Sequence, residues 1–220
     1  MGQFDNYRPS DEVLDKLKHI TLVAVVGASG VGKTTLMKAA AQADPALQFV
    51  IADVSRRARP EERDGVDYNF CRKQDMLQRI KRHEYVNVAP SLGGDLYTTD
   101  PISYPDKGLG MMAIWAGVIP YFRSLPFAAI RTIFIVPASF EVWQRHMHTH
   151  HFTPDQQAQR LAEARRSFEF GLHDKQSVLI INDDLQAATQ DFLQAVRGRQ
   201  PITDQQQARA VIRNVLQQLP

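Results

Sequence analysis

Cysteine is nearly absent from this chain, which contains a single cysteine residue, Cys71. A single cysteine cannot form an internal disulfide, and Cys71 lacks the spaced partners that a cysteine-based metal site requires. We expect Cys71 to be a small, partly buried apolar residue and not a reactive thiol. The chemistry of this protein therefore has to come from other residue types.

The chain also lacks long apolar runs and an excess of one charge. The apolar run at residues 20–26 is far too short to span a bilayer, and residues 1–10 contain no basic segment followed by an apolar one. The formal net charge of +2 gives no sign of nucleic acid or a membrane as a partner. We therefore expect a cytoplasmic protein without a signal peptide, whose oligomeric state the sequence leaves open.

The most informative stretch is TLVAVVGASGVGKTTL at residues 21–36, where an apolar run leads into a glycine-rich turn and then into good helix formers. Gly27, followed after four residues by Gly32, Lys33 and Thr34, fits the Walker A pattern of a phosphate loop. Such glycines let backbone N–H groups turn toward an anion, while Lys33 adds a cation and Thr34 offers a hydroxyl to Mg²⁺. We predict that the loop binds ATP. The predicted ATP-binding residues are Gly27, Ala28, Ser29, Gly30, Val31, Gly32, Lys33, Thr34 and Thr35.

Strand-length apolar runs alternate with helical patterns along the chain. This alternation predicts an α/β fold with a P-loop-type parallel sheet core and helices on both faces. The predicted core strands are residues 21–26, 49–54, 109–115, 132–136 and 178–181. The predicted helices are residues 11–18 after Ser10, 33–43, 139–147, 154–170 ended by Gly171, a helix from Asp183 or Asp184 to about 196, and a last helix from a Thr203–Gln206 capping box to about 219.

Residues 55–108 differ in character, because short mixed segments are separated by many glycine and proline turn signals. We interpret them as an inserted substrate subdomain with a strand near 66–70, a helix near 75–82 and a strand at 85–89. The main domain would span 20–198, with its core in 20–54 and 109–198. Residues 1–19 would form an accessory helix, and residues 199–220 a C-terminal helix.

A second cluster of charge lies at residues 53–70, DVSRRARPEERDGVDYNF, on the loop that leaves the predicted second strand. It holds the arginines Arg56, Arg57, Arg59 and Arg63. A planar guanidinium can bind a phosphate through two parallel hydrogen bonds, so arginines beside a phosphate loop indicate a second phosphate site. A solvated charged loop is the alternative that these residues alone leave open.

Together these stretches resemble the guanylate kinase family of nucleoside monophosphate kinases over residues 22–196. The matching motifs are the loop GASGVGKTT, the segment DGVDYNF after the arginines, and HDKQSVLIINDDL near the C-terminus. The resemblance implies an inserted subdomain that binds a nucleoside monophosphate and a lid at about residues 145–160. It also implies transfer of a phosphoryl group from ATP, with Mg²⁺, to GMP or dGMP.

Site residues follow from the same resemblance, by position. Arg56, Arg59 and Tyr68 would hold the acceptor's phosphate, with Glu62 supporting their loop and Tyr97 as a further contact. The full acceptor set is Ser55, Arg56, Arg59, Glu62, Tyr68, Asn87 and Tyr97. Lys33, Arg145 and Arg160 would be catalytic, the two arginines closing over the transferred group, and Asn182 would lie near the ATP base.

Several positions depart from the family pattern. The stretch GMMAIWAG at 110–117 has no carboxylate where the family has an Asp-x-Asp pair, and Asn87 stands where the family has a glutamate that accepts from guanine. The arginine loop is shorter, and one expected lid arginine falls near Thr149. Our hypothesis is that Asp53 replaces the missing carboxylate by orienting Mg²⁺-bound water or the acceptor; a loop-capping aspartate is the alternative.

The lid also carries His146, His148, His150 and His151. We interpret them as solvated side chains, with a metal site as the alternative. The departures leave two other functions open besides the kinase. One is a nucleotide-binding or scaffold module that has lost turnover, and the other is a kinase of a different small phosphorylated acceptor.

Overall fold

The computed structural model describes residue 4 and residues 6–91, 93–148 and 154–220. Its α/β fold, with a parallel sheet core flanked by helices, confirms the predicted fold class. The strands are β1 Ile20–Val26, β2 Leu47–Phe49, β3 Asp53–Val54, β4 Asn69–Phe70, β5 Asn87–Pro90, β6 Leu96–Thr99, β7 Gly108–Ala113, β8 Ala129–Pro137 and β9 Val178–Asn182. The helices are α1 Asp11–Leu17, α2 Lys33–Ala43, α3 Lys73–Lys81, α4 Ile119–Ser124, α5 Phe140–His148, α6 Pro154–His173, α7 Leu185–Val196 and α8 Gln205–Gln218, with short 3₁₀ turns at Pro101–Ser103 and Ala116–Val118.

Within the described residues the strands form two sheets. The larger has the order β2-β7-β1-β8-β9, and the smaller has the order β4-β3-β6-β5. β8 and β9 pair in parallel, with Ile135 opposite Ile180. β1 and β8 are apolar and rich in β-branched residues. Most side chains of β1 and the last six of β8 are buried, which is typical of central strands covered on both faces. Among the described residues, no helix combines the length and apolarity needed to cross a bilayer.

The chain divides into two compact units. The first contains the described part of residues 1–22 together with 48–112 and 121–129. Its small sheet has a covered face, on which Met76 and Ile80 of α3 pack with Tyr85 and Leu96. The strand register places Thr98 and Asp53 on this covered side, and it places Asn87, Thr99 and Tyr97 on the opposite face.

The second unit contains residues 23–47, 113–120 and 130–220. An aromatic cluster joins its elements: the Phe168 ring of α6 lies edge-on to Phe134 of β8 and to Trp143 of α5, with ring centroids 6.3 and 5.5 Å apart. Gly171 of α6 lies over the same cluster, because a Cβ at this position would stand 2.7 Å from the Phe134 ring. This glycine therefore permits close packing of α6 on β8.

Two strand predictions are corrected. The predicted strand 49–54 is two strands in different sheets, because Val50 bonds Met111 while the carbonyl of Ala52 accepts from Asn69. The chain thus crosses from the large sheet to the small one within five residues of Phe49. Also, β6 was not predicted, since its four residues follow a double-glycine turn and carry little apolar alternation.

Two helix predictions are also corrected. Gly171 does not end α6, which continues to His173, because the glycine serves packing and does not serve as a helix stop. Thr203 does not cap α8, since its hydroxyl bonds the buried carboxylate of Asp191; Asp204 is the N-cap and accepts from the N–H of Gln206. The caps Ser10 and Asp184 are confirmed.

Candidate nucleotide-binding site

The glycine-rich loop joins the end of β1 to the start of α2. Gly27 and Gly32 have φ angles of 150° and 89°, which residues with a side chain rarely adopt. A Cβ on Gly27 would also stand 2.9 Å from the carbonyl oxygen of Ile135. The sequence pattern and the backbone therefore agree on where the loop turns.

Five successive carbonyl oxygens of this loop each bond a side chain. Lys33 Nζ donates to the carbonyls of Gly27 and Ala28, both at 2.8 Å. The next three carbonyls, of Ser29, Gly30 and Val31, contact Trp143 Nε1 at 2.8 Å, His146 Nδ1 at 3.0 Å and Asn182 Nδ2 at 3.0 Å. The carbonyls are thus held by the helix α5, the end of β9 and the loop's own lysine.

The backbone N–H groups of residues 28–35, in contrast, donate to no acceptor within the described residues. Unpaired N–H groups at a glycine turn and the first turn of a helix form an anion site, strengthened by the helix dipole. Burial lowers the pKa of Lys33 to about 8, because only neutral carbonyls surround its ammonium group. A polyanion bound to this loop would supply the missing negative charge.

Thr34 is the Mg²⁺ ligand predicted from the sequence, and that role stays a prediction. Its side chain is exposed, and no described residue hydrogen-bonds its hydroxyl. Magnesium in nucleotide sites takes few protein ligands, because phosphate oxygens and water complete its shell. The described residues contain no group of three or more His, Cys, Asp or Glu side chains that could bind a metal alone.

Asp53, the second predicted metal ligand, has other partners. It is buried, accepts from Asn69 Nδ2 at 2.8 Å and lies 3.8 Å from Arg79 Nη1. Burial raises the pKa of Asp53, because the charged form of an interior carboxylate is destabilised by the loss of water. These contacts favour a structural role in the first unit, and the metal role of Asp53 stays a prediction that they do not support.

In the described part of the predicted lid, the interpretation of His146 is corrected. His146 is exposed, but its ring contacts the phosphate-loop carbonyl of Gly30 and is not merely solvated. Arg145 is exposed on α5 beside Glu141, and Arg160 is half-buried on α6. Thr149, His150, His151 and the side chain of His148 lie outside the described residues, so the metal alternative stays a prediction.

In the first unit, Arg56 is held firmly by a carboxylate. Its guanidinium makes two bonds to Glu62, at 2.5 and 2.7 Å, and its Nε donates to Tyr97 OH at 3.0 Å. It also lies 5.1 Å from the ring centre of Tyr68. The neighbouring guanidinium lowers the pKa of Glu62, whose side chain also accepts from the backbone N–H of Arg59. Arg56 therefore braces this loop and positions two tyrosines.

The other predicted acceptor residues differ in exposure. Arg59 has a half-exposed guanidinium 3.8 Å from Glu62, so it is the arginine of the pair with donors to spare. Ser55 Oγ accepts from the backbone N–H of Leu96 at 2.9 Å and thereby ties the loop to β6. Asn87 is buried, and its Oδ1 lies 2.6 Å from the hydroxyl of Thr99. Contact of these residues with a ligand remains a prediction.

Sequence reasoning missed several residues that shape both sites: Trp143 on the phosphate loop, and Thr99 and Tyr104 beside Asn87. No motif marks them. Trp143 stands one helical turn after Ser139, where an aromatic residue predicts only core packing. The register of β5 and β6 pairs Asn87 with Thr99. Had β6 been predicted from the sequence, this pairing would have indicated that Thr99 lies beside Asn87.

A phosphate loop after the first strand of a parallel sheet, with a helix that begins at its lysine, defines a P-loop nucleotide-binding fold. The guanylate kinase family model matches residues 19–103. Among curated relatives, the guanylate kinase of Vibrio cholerae is 30% identical over 197 residues, 86% of this chain and 93% of that protein. That of Aliivibrio fischeri is 29% identical over 194 residues, 84% of this chain and 91% of that protein.

A solved structure, guanylate kinase from Anaplasma phagocytophilum, superposes with a TM-score of 0.56 at 18% identity and covers 84% of this chain and 88% of its own. This likeness supports the fold. The curated relatives carry the assignment further: the chain belongs to the guanylate kinase family and is a nucleoside monophosphate kinase.

Proposed function

We propose that this protein transfers the γ-phosphoryl group of ATP to the phosphate of GMP or dGMP. The observation that carries the proposal is the phosphate loop, whose five carbonyls at residues 27–31 contact side chains while the N–H groups of residues 28–35 have no acceptor among the described residues. Such a loop has no use in a module that binds no triphosphate. The kinase function is therefore favoured over a scaffold.

On the donor side, the N–H groups would bind the phosphate oxygens of ATP, and Lys33 would leave its carbonyl partners to neutralise the transferred group. Thr34 would hold Mg²⁺, which supplies positive charge to the phosphates when bound. Arg145 and Arg160 would add donors as the lid closes, in line with the sequence prediction. Asn182 would act through the carbonyl of Val31 and so keep the loop in shape.

On the acceptor side, Arg59 and the hydroxyls of Tyr68 and Tyr97 would bind the monophosphate. Burial raises the pKa of Tyr68, so its hydroxyl remains a donor at neutral pH. Arg56 positions Tyr97 and keeps Glu62 from repelling the phosphate, because the carboxylate is already paired. A phosphate oxygen is ionised at neutral pH and attacks in line without a general base. Such an enzyme would work in the cytoplasm, where ATP is available.

The test is ADP release with ATP and Mg²⁺ against a panel of nucleoside monophosphates, with Lys33→Ala as the control variant. The proposal expects turnover with GMP or dGMP, and a loss of at least about a hundredfold in Lys33→Ala. Binding of ATP or GMP without ADP release would indicate the module instead. Turnover with a non-nucleotide phosphate alone would identify the other kinase.

A further inference from the structure

One largely buried amide in the first unit has a nitrogen without an acceptor among the described residues. Asn87 is 6% exposed, and its Oδ1 pairs with the Thr99 hydroxyl. Its Nδ2 donates to no group within the described part of the chain. The nitrogen is not among the fully buried polar atoms without a partner, which in the described residues are Thr98 Oγ1 and Ser167 Oγ, so it keeps some accessible surface. An accessible donor on a largely buried side chain is open to a ligand that supplies an acceptor.

The length of the hydrogen bond to Thr99 favours the carbonyl end of the Asn87 amide as the bonded end. The contact between Thr99 Oγ1 and Asn87 is 2.6 Å, which is ordinary for O–H···O and short for N–H···O. Thr99 has one proton, so when it donates to Asn87 it must accept from Tyr104 OH, 3.0 Å away. Tyr104 has a thioether as its other neighbour, Met112 Sδ at 3.7 Å, which is a weaker acceptor.

Tyr104 can serve as this donor because it keeps its proton. It is almost fully buried, and burial raises its pKa. The chain of bonds therefore runs from Tyr104 to Thr99 to the carbonyl of Asn87, and it leaves the amide nitrogen as the end without a partner among the described residues.

The free amide faces the same side of the small sheet as the predicted phosphate cluster. Asn87 pairs with Thr99, and two residues further along the strands Ala89 pairs with Tyr97, the residue that Arg56 contacts. Two residues of strand span about 7 Å, which is the scale of a ribose between a base and its phosphate. The opposite face is closed by α3.

We propose that Asn87, locked by Thr99 and Tyr104, is a specificity-determining residue that donates to an acceptor atom of the purine and does not read its 2-amino group. This rests on the proposed function, because it assigns the base subsite of the acceptor nucleotide. Purine O6 and N7 are acceptors and are the same in GMP and IMP, whereas the N2 amino group, a donor, is present in GMP alone. A site that offers a donor treats the two nucleotides alike.

The experiment measures the dissociation constants of GMP and IMP by calorimetry without ATP, in the full chain and three variants. The wild type is expected to bind both within about threefold. Asn87→Asp keeps the shape but offers only acceptors, so GMP, with N1–H and N2–H, should be favoured over IMP by about tenfold. Thr99→Val frees the amide to rotate and should move the ratio the same way.

Thr98→Val is the matched control, because Thr98 is equally buried on the same strand but lies on the opposite face; its ratio should equal the wild type's. A wild-type preference for GMP of tenfold or more would overturn the inference and leave the kinase function standing. An unchanged ratio in Asn87→Asp would overturn it as well. If neither nucleotide binds the wild type, the proposed function fails too; if both bind equally without ADP release, only the transfer fails.

Discussion

The indole Nε1 of Trp143 donates a 2.8 Å hydrogen bond to the backbone carbonyl of Ser29, in the middle of the phosphate loop. Trp143 is 1% exposed and stacks edge-on against Phe168, so a core aromatic residue fixes the loop. The packing of α5 and α6 therefore contributes to the shape of the loop in the absence of a nucleotide. Backbone N–H groups of a loop that is held in this way need little rearrangement when a phosphate binds.

Trp143→Phe should weaken ATP binding by about two- to tenfold, because one buried carbonyl loses its partner while the ring packing is largely kept. We also expect the free energy of unfolding to fall by about 1 to 3 kcal/mol. Steady-state kinetics with varied ATP and a urea titration measure the two effects. Trp115→Phe, at a residue half exposed to solvent, is the matched control. A stability loss with an unchanged KM for ATP would show that the indole serves only the core.

Lys33 should take up a proton when ATP binds. Its pKa of about 8 means that at about pH 9 most molecules carry it neutral, and phosphate charge raises the pKa and restores the proton. Near pH 7 the group is already charged, so uptake should disappear. Calorimetry with Mg-ATP in two buffers of different ionisation enthalpy measures the uptake, and Lys33→Met should abolish it. Heat that is independent of the buffer at about pH 9 would contradict the assignment.

The phosphate loop could be predicted because its determinants are local: glycines, a lysine and a threonine at fixed spacing between a strand and a helix. The groups that hold it could not, since Trp143 and Asn182 lie 114 and 151 residues from their partners. Their roles depend on how α5 and β9 pack, which no local pattern encodes. The same holds for Asn87, whose free end is decided by Thr99 and Tyr104.

The fold class could be predicted from alternating apolar runs, but the end of α6 and the cap of α8 depend on tertiary contacts. Gly171 has the residue type of a helix stop, yet α6 passes through it because the Phe134 ring leaves no room for a Cβ. Thr203 has the spacing of a cap, yet the buried Asp191 takes its hydroxyl. In both cases a tertiary contact outweighs the local propensity.

Arg56→Lys should raise the KM for the acceptor nucleotide by about tenfold and leave the KM for ATP within about twofold. A lysine keeps the charge but cannot keep both bonds to Glu62 and the bond to Tyr97. Initial rates with each substrate varied in turn separate the two constants. Arg57→Lys is the control, because Arg57 is the exposed next residue and contributes its carbonyl alone to the cluster. Equal effects on the two KM values would argue against a role confined to the acceptor.

Gly171→Ala should destabilise the protein, although alanine is the better helix former. The added Cβ would lie 2.7 Å from the Phe134 ring, and overpacking of this kind costs about 1 to 3 kcal/mol, against a propensity gain of about 1 kcal/mol. We expect a net loss of up to about 2 kcal/mol in the free energy of unfolding, measured by urea at constant slope. At Gly117 a Cβ would meet no atom within 4 Å, so Gly117→Ala should be neutral or slightly stabilising. If Gly171→Ala proved as stable as Gly117→Ala, α6 would have room to shift. That result would contradict the role of Gly171 in the close packing of α6 on β8.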